Sequence, residues 1–495
     1  MMAVLDAANE PVGSPKWWLA YLNARMEAER RELDLYDSYY EGDHPLFFAT
    51  PKFREAFGDL FEEFADNWCE VVVDAKAERL AVEGFRLKPD DDSEPEDSDE
   101  AAWDLWQRNG LDAYSSAAML EAVKLKRSAI IVEPGQEFAR ITVEHPTQVY
   151  VHHDPGDRRR VLAAIKKWQD DDGTLYATVY RPEGAYRWRS KKPATSILGT
   201  TSEWVPRDDS VSFVDYFRVF GGLVPVVGLE NDPSLLRGGR SDLKKVIPLQ
   251  NAINKLATDL VVASEFTAFR QRLLSGVEVP RYPEGHPQAG EPMNEAFVAA
   301  VSRLLVTEEP DARAQEWGAS DLTLYVKAVE MFVQHVAAQT RTPPHYLMGT
   351  VVNASGDALK AAETGLVSKV RGTSRYMGQS WESVIRLGFL ASPGQEKKAG
   401  AKAIETLWRN PENRSEAEVA DAALKLKELE VPVEALWERI GASATERTRW
   451  AELRQKALAE AMAAALAGTG PEDQGLPNET PRAASTGVTG GGSGA

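Results

Sequence analysis

Cysteine is almost missing: Cys69 is the single one in 495 residues. An intramolecular disulfide is therefore excluded, and so is a zinc site built from several cysteines; a reducing compartment is the expected setting. No uninterrupted apolar run approaches the about 18 residues of a membrane-spanning helix, so no span is predicted. Residues 1–13 carry neither a basic stretch nor an apolar core, and no secretory leader is expected there. The phosphate-cradling G-x-x-x-x-G-K-[ST] loop is absent, as is H-E-x-x-H, which speaks against an ATP-driven motor and against a zincin. Basic excess is lacking too: 57 Lys and Arg face 76 Asp and Glu, a net charge of −19. Proteins that grip duplex DNA are usually basic, because affinity comes from neutralising phosphates. An acidic balance suits a surface that DNA slides past, and it suits plain solubility equally well. With 43% hydrophobic residues, the chain can bury more than one core, and two to four domains are expected.

What is present is organised around 241–391. Pro248 is placed as a first helical residue, after a short turn from Ser241 to Ile247, and the helix is predicted to run to about Leu274. Leu249, Ile253, Leu256, Leu260, Ala263 and Thr267 form one seam; Val262, Phe266, Phe269 and Leu273 form a second. A partner helix is expected from Ser320, as N-cap, to Arg341, stopped by Thr342-Pro343-Pro344. A loop with an apolar tip (Leu347, Met348, Val351, Val352) follows. Ser355 then caps a third helix reaching about Leu390, with Gly365, Gly372, Gly378 and Gly388 inside it. Each such glycine costs up to about 1 kcal/mol against alanine, so this helix either bends or packs very closely. The 276–318 insert, rich in Pro and Gly with one short helix near 294–305, is far longer than an ordinary helix–helix connection.

Upstream, helices are expected at about 15–40, 57–80, 101–109 and 114–126. The eight carboxylates between Asp90 and Glu100 read as a solvated loop. From Ala129 the period becomes two, with strands at 130–132, 149–151, 161–168, 175–180, 186–189 and 211–220: one antiparallel meander over about 129–220. Downstream, Ser415-x-x-Glu418 and Ser443-x-x-Glu446 are capping boxes for helices at about 416–430 and 444–467, with a short helix from Pro432 between them. The 468–495 tail, rich in Gly, Ser, Thr and Pro, is expected to be disordered. The fold class is α+β, mainly helical.

Several stretches resemble portal proteins, the head-to-tail connectors of tailed bacteriophages, and among them those of actinobacterial siphophages. They are SDLKKVIPLQNAINKLATDLVVASEF (241–266), TPPHYLMGTVVNASGDALKAAETGLVSKV (342–370) and WESVIRL (381–387). Upstream, NWCEVVVDAKAERLAVEGFRL (67–87) and LWQRNGLDAYSSAAMLEAVKLKRSAIIVEP (105–134) share the likeness. The resemblance implies a portal-like fold: a flexible N-terminus at 1–14, an α+β wing at 15–240, and stem helices at 241–275 and 319–341. Between the stems lies an inserted clip at 276–318; a tunnel loop at 342–356, a long kinked helix at 357–391 and a helical crown at 392–467 follow. It implies a closed ring of about twelve subunits at one capsid vertex. The implied partners are double-stranded DNA in the channel, terminase, a head-tail adaptor, and the major capsid and scaffolding proteins. Neither a cofactor nor a membrane is among them, and no catalysis is expected. Leu347, Met348, Val351, Val352 and Asn353 become the tunnel loop, with Pro343, Pro344, Gly365 and Gly372 as its hinge. Lys244, Lys245, Lys255, Arg270 and Arg272 either line the channel or pair with neighbouring subunits; the sequence leaves both open.

Two competing functions remain: a nucleic-acid-processing enzyme with its catalytic part near 129–220, or another virion structural protein such as a scaffold. The enzyme needs a catalytic cluster. The best lure, His152-His153-Asp154, runs into a Pro-Gly turn and reads as turn residues. The basic cluster of Arg158, Arg159, Arg160, Lys166 and Lys167 reads as a solvated strand edge before it reads as a nucleic-acid patch.

Overall fold

Ser14 opens the first helix, α1 (Pro15–Tyr40), by accepting a hydrogen bond from the Trp17 amide at 3.2 Å, with Pro15 in the first turn. Its buried stripe, Leu19, Leu22, Met26, Leu33, Tyr36 and Tyr39, serves two cores in turn. The first three pack with Ala163, Ile165, Ala177, Val179 and Trp188, and the last three join the main core. The computed structural model describes residues 10–44, 66–88, 96–194, 203–207, 213–268, 272–275, 281–291, 311, 313–316, 321–349, 356–412, 416–442 and 444–466. The fold is mixed α and β and about 53% helical. The chain divides into two units, 1–416 and 417–495.

In the first unit, α2 (Trp68–Ala77) starts later than the pattern predicts. Asn67 caps it through the Cys69 amide at 3.1 Å, which fixes the helix start, while 45–65 lie outside the described residues. There follow β1 (Val82–Lys88), α3 (Glu96–Arg108) and α4 (Leu111–Leu125). The acidic run expected as a loop is thus helical from Glu96 onward. The predicted single meander is two sheets. One has the order β10-β2-β3, from β2 (Arg127–Glu133), β3 (Arg140–Glu144) and, much later, β10 (Val226–Glu230). The other runs consecutively through β4 (Val149–His153), β5 (Val161–Gln169), β6 (Leu175–Arg181), β7 (Gly184–Ser190) and β8 (Trp204–Pro206), with β9 (Phe213–Asp215) also on β7.

The strand expected over 211–220 is cut short. Asp215 accepts from the Phe217 amide at 2.9 Å and turns the chain into a one-turn helix, α5 (Phe217–Phe220), closed by Gly221 at φ 59°. Pro225 and Gly228 disguise β10 as a turn. Pro225 instead precedes an edge strand, where its missing N–H costs nothing, and its carbonyl accepts from Val132 at 2.9 Å.

Then comes α6 (Leu243–Ala268), started earlier and ended earlier than expected. Ser241 Oγ accepts from the Leu243 amide at 3.0 Å, and Pro248 sits exposed inside the second turn rather than at the first position. The helix does not reach 274, because β11 (Arg272–Ser275) is a strand that pairs antiparallel with β12 (Arg313–Glu316), which brings the two ends of the insert together. The short helix expected near 294–305 lies outside the described residues. Next, α7 (Thr323–Thr340) packs along α6. Ser320 lies outside the described residues, and Asp321 does the capping, accepting from the Thr323 amide at 3.0 Å. A short helix, α8 (Pro344–Met348), occupies part of the expected loop, and α9 (Gly356–Ala391) runs 36 residues without interruption.

Beyond α9, β13 (Ala403–Trp408) pairs with β1 across more than 300 residues of sequence. The expected all-helical 392–467 segment is therefore corrected: its first part is a strand of the first unit. The second unit holds α10 (Glu416–Glu428), α11 (Val433–Arg439) and α12 (Ala444–Leu466). There Trp437 meets Trp450 edge to face at 5.7 Å. The capping residues Ser355, Ser415 and Ser443 and the tail from 467 onward lie outside the described residues.

Candidate hinge and channel elements

The C-terminal two-thirds of α9 is core. Leu366, Val370, Met377, Trp381, Val384, Ile385 and Phe389 are all buried, and Trp381 meets Trp106 edge to face at 4.9 Å. Ser380 Oγ donates to the Gly228 carbonyl at 2.9 Å and ties α9 to β10. Before Leu366 the helix is mostly exposed.

The four glycines of α9 divide on the same line. A Cβ at Gly388 would sit 2.5 Å from Leu105 Cδ2, and one at Gly378 would sit 3.2 Å from Trp408 Nε1. Those two are packing glycines. A Cβ at Gly365 would make ordinary contact with Arg341 Cβ at 3.5 Å, and at Gly372 it would meet nothing within 4 Å. Sterics do not require glycine at 365 or 372. The two differ in setting, since Gly372 is flanked by buried Val370 and Thr373 whereas Gly365 stands where the buried part begins.

A buried charge node joins α9 to both packed helices. Lys369 Nζ lies 2.8 Å from Asp242 Oδ2, just before α6, and donates to the Thr340 carbonyl at the end of α7 at 3.1 Å. Fully buried Lys76 reaches the same carboxylate at 3.5 Å and Asn231 Oδ1 at 2.7 Å. Burial alone would raise the Asp242 carboxyl, but Lys76, Lys369 and the Asn231 amide hold it down at about 2. The carboxylate is therefore charged throughout the neutral range, and two cations bind it.

A second node fixes the segment after Pro343-Pro344. Tyr346 donates to Glu363 Oε1 at 3.1 Å, and Arg79 pairs with Glu363 Oε2 at 3.3 Å while its guanidinium also donates to the Tyr346 hydroxyl. Burial raises the Tyr346 phenol above its ordinary value, so it stays protonated and donates. Arg341, at φ 60°, turns the chain out of α7, and the Thr342 amide closes that turn on the Ala337 carbonyl at 3.1 Å.

Two expected tunnel-loop residues are corrected by this packing. Leu347 is buried in the main core and Met348 packs against it, so both anchor the segment and neither forms an apolar tip. Val351, Val352 and Asn353 lie outside the described residues, as does Arg270. Arg272 is on β11, not on the helix. Lys255 pairs with Asp259 one turn on along α6, while Lys244 and Lys245 are exposed. The Arg158–Lys167 cluster is met by carboxylates: Arg158 by Glu230, Arg159 by Asp157, Arg160 by Asp154, Lys166 by Glu144 and buried Lys167 by Glu27. His152 sits edge-on to Tyr21 at 5.3 Å, and burial pushes the His153 imidazole down to about 4. Asp154 caps its turn through the Gly156 amide at 2.8 Å. Among the described residues no three His, Cys, Asp or Glu side chains gather to hold a metal ion, and no helix is long and apolar enough to cross a membrane.

The charged residues of both nodes escaped the sequence reading, apart from their place in the quoted segments. A lysine inside an apolar helix, such as Lys76 or Lys369, signals a buried partner, but its partner lies more than 120 residues away.

Known proteins share this layout in sequence. The portal protein of Mycobacterium phage D29 is 29% identical over 428 residues, covering 82% of each chain. The portal protein of Mycobacterium phage L5 is 30% identical over 370 residues, covering 72% of this chain and 70% of the relative. The class is thus that of bacteriophage portal proteins. More narrowly, the chain belongs to the family described as phage portal protein, SPP1 Gp6-like, whose model matches residues 19–461. Portal proteins are structural components of the virion and form oligomeric rings in phage capsids.

Proposed function

We propose that this portal protein forms a closed ring of about twelve copies at one capsid vertex. The ring docks terminase during packaging, conducts double-stranded DNA in and out, and carries a head-tail adaptor, having engaged major capsid and scaffolding proteins during assembly. In this reading 15–240 is the wing, α6 and α7 are the stem, 276–318 is the clip, 342–356 is the tunnel loop and 417–466 is the crown. Lys244 and Lys245, exposed on α6, are the stem cations best placed to meet phosphate.

The supporting observation is the junction of α7, α8 and α9. The segment after Pro343-Pro344 is anchored at Leu347 and clamped by Arg79 and Glu363, and between Ala358 and Gly365 α9 is mostly exposed apart from that clamped Glu363. Gly365 is therefore the favoured hinge: motion there spares the buried part of α9, whereas bending at Gly372 would drag Val370 and Thr373 out of the core. The loop carries no Lys or Arg between Pro343 and Gly356, which suits weak contact with a moving polyanion.

The test is a Val351→Lys/Val352→Lys variant. Ring assembly should be normal, and packaging should slow or stall, most at low salt, with the alanine pair milder. Packaging at the wild-type rate at every salt concentration would remove the loop from the duplex.

A further inference from the structure

The turn after β10 is rigid and yet presents bare leucines. Ser234 and Arg237 exchange backbone hydrogen bonds at 3.1 and 3.2 Å, so Leu235 and Leu236 form the tip of a tight turn. The base is pinned. The Asn231 amide donates to the Lys126 carbonyl at 3.0 Å, Asn231 Nδ2 donates to the Arg240 carbonyl at 2.6 Å, and Arg240 pairs with Asp232 at 2.6 Å. A Cβ at Gly239 would lie 1.9 Å from the Lys126 carbonyl oxygen, so the base of the turn sits directly against the Lys126 backbone and leaves no room for a side chain. Yet Leu235 is 95% and Leu236 92% exposed. An ordered turn that holds two leucines wholly in water is built to insert them elsewhere.

The same three-stranded sheet has a cleft on its other edge, lined mostly by polar residues but with an apolar part. β10 and β3 are its two edges, with β2 between them. Beside β3 lies a cleft of about 810 Å³ whose lining includes Tyr114, Phe138, Ile141 and Val143. Tyr114 is 61% exposed there. Arg108 and Arg140 at this cleft are already paired with Asp104 and Glu133, while Glu137 is exposed on its rim. Arg237 is exposed beside the leucine tip. Knob and cleft are different surfaces on opposite edges of one sheet, as a head-to-tail contact that repeats around a ring requires, and the exposed Glu137 of the cleft, whose lining is otherwise of mixed charge, can answer the exposed Arg237 of the knob.

We infer that the Leu235–Leu236 tip of one copy inserts into the Tyr114–Phe138 cleft of the next, with Arg237 facing the neighbour's Glu137. This rests on the chain being a ring-forming portal protein. Light scattering on the purified full chain over a dilution series tests it. A Leu235→Asp/Leu236→Asp variant should raise the protomer concentration needed for assembly at least about a hundredfold, from the loss of two buried leucines per contact. Near-ultraviolet circular dichroism should be unchanged, since both positions are in water in the protomer. Arg237→Glu and Glu137→Arg should each weaken assembly, and the two together should restore it. Wild-type assembly by the leucine variant overturns this contact and leaves the ring intact. Additive weakening in the charge-swapped pair overturns the Arg237–Glu137 pairing. A wild-type protein that stays at 54.6 kDa throughout overturns the ring itself, and the contact with it.

Discussion

Replacing Gly365 by alanine should make the protein more stable and less able to package DNA. The new methyl would stand 3.5 Å from Arg341 Cβ, an ordinary contact, so nothing has to move. What changes is the backbone: alanine within a helix is worth up to about 1 kcal/mol over glycine. Urea unfolding monitored by far-ultraviolet circular dichroism should therefore show a gain of that order at unchanged slope. Gly388→Ala is the contrasting case. Its methyl would overlap Leu105 Cδ2 at 2.5 Å, in a core that includes Trp106 and Trp381, and a loss of about 1–3 kcal/mol is expected. If α9 bends at Gly365 as DNA passes, the stiffer Gly365→Ala protein should package more slowly in spite of its added stability. A Gly365→Ala protein that is as stable as expected and packages at the wild-type rate would refute the hinge. One that is destabilised by more than about 1 kcal/mol would refute the open surroundings on which the argument depends.

Asp242→Asn should cost about 3–5 kcal/mol in the same assay, because fully buried Lys76, whose ammonium burial already disfavours, would lose its counter-charge and have either to sit unpaired in the core or to give up its proton; Lys369→Met, at a partly exposed position, should cost less. The Asp242 carboxyl also sets an acid limit. With its pKa held at about 2, below the ordinary 3.8, its stabilisation is complete above pH 3.8 and is lost as pH falls through about 2. Asp242→Asn should flatten that stretch of the acid-unfolding curve. Deleting most of the 276–318 insert should abolish stimulation of terminase ATPase; stimulation that survives would put the docking surface elsewhere.

The helical framework was legible where the pattern is local. Ser14-Pro15 marked the start of α1, and Thr342-Pro343-Pro344 marked the end of α7. Strands with their turn partners nearby, from β4 to β7, could be read from alternation and Pro-Gly turns. β1, β10 and β13 could not, because each pairs across a long sequence separation and β10 carries turn-like Pro225 and Gly228 beside and within it. The glycines of α9 were visible as an anomaly, but only their neighbours separate the packing pair from the open pair. The apolar tip expected of the tunnel loop takes in Leu347, and hydropathy alone does not tell this buried anchor from a tip. Nor could charge pattern alone foresee that Asp242, Lys76 and Lys369 meet.

Electron microscopy of the purified wild-type protein tests the central claim most directly. End-on class averages should show closed rings with a central channel, with a particle mass near twelve times 54.6 kDa. Monodisperse particles of 54.6 kDa, or open filaments without a channel, at concentrations well above those of assembly would contradict the account.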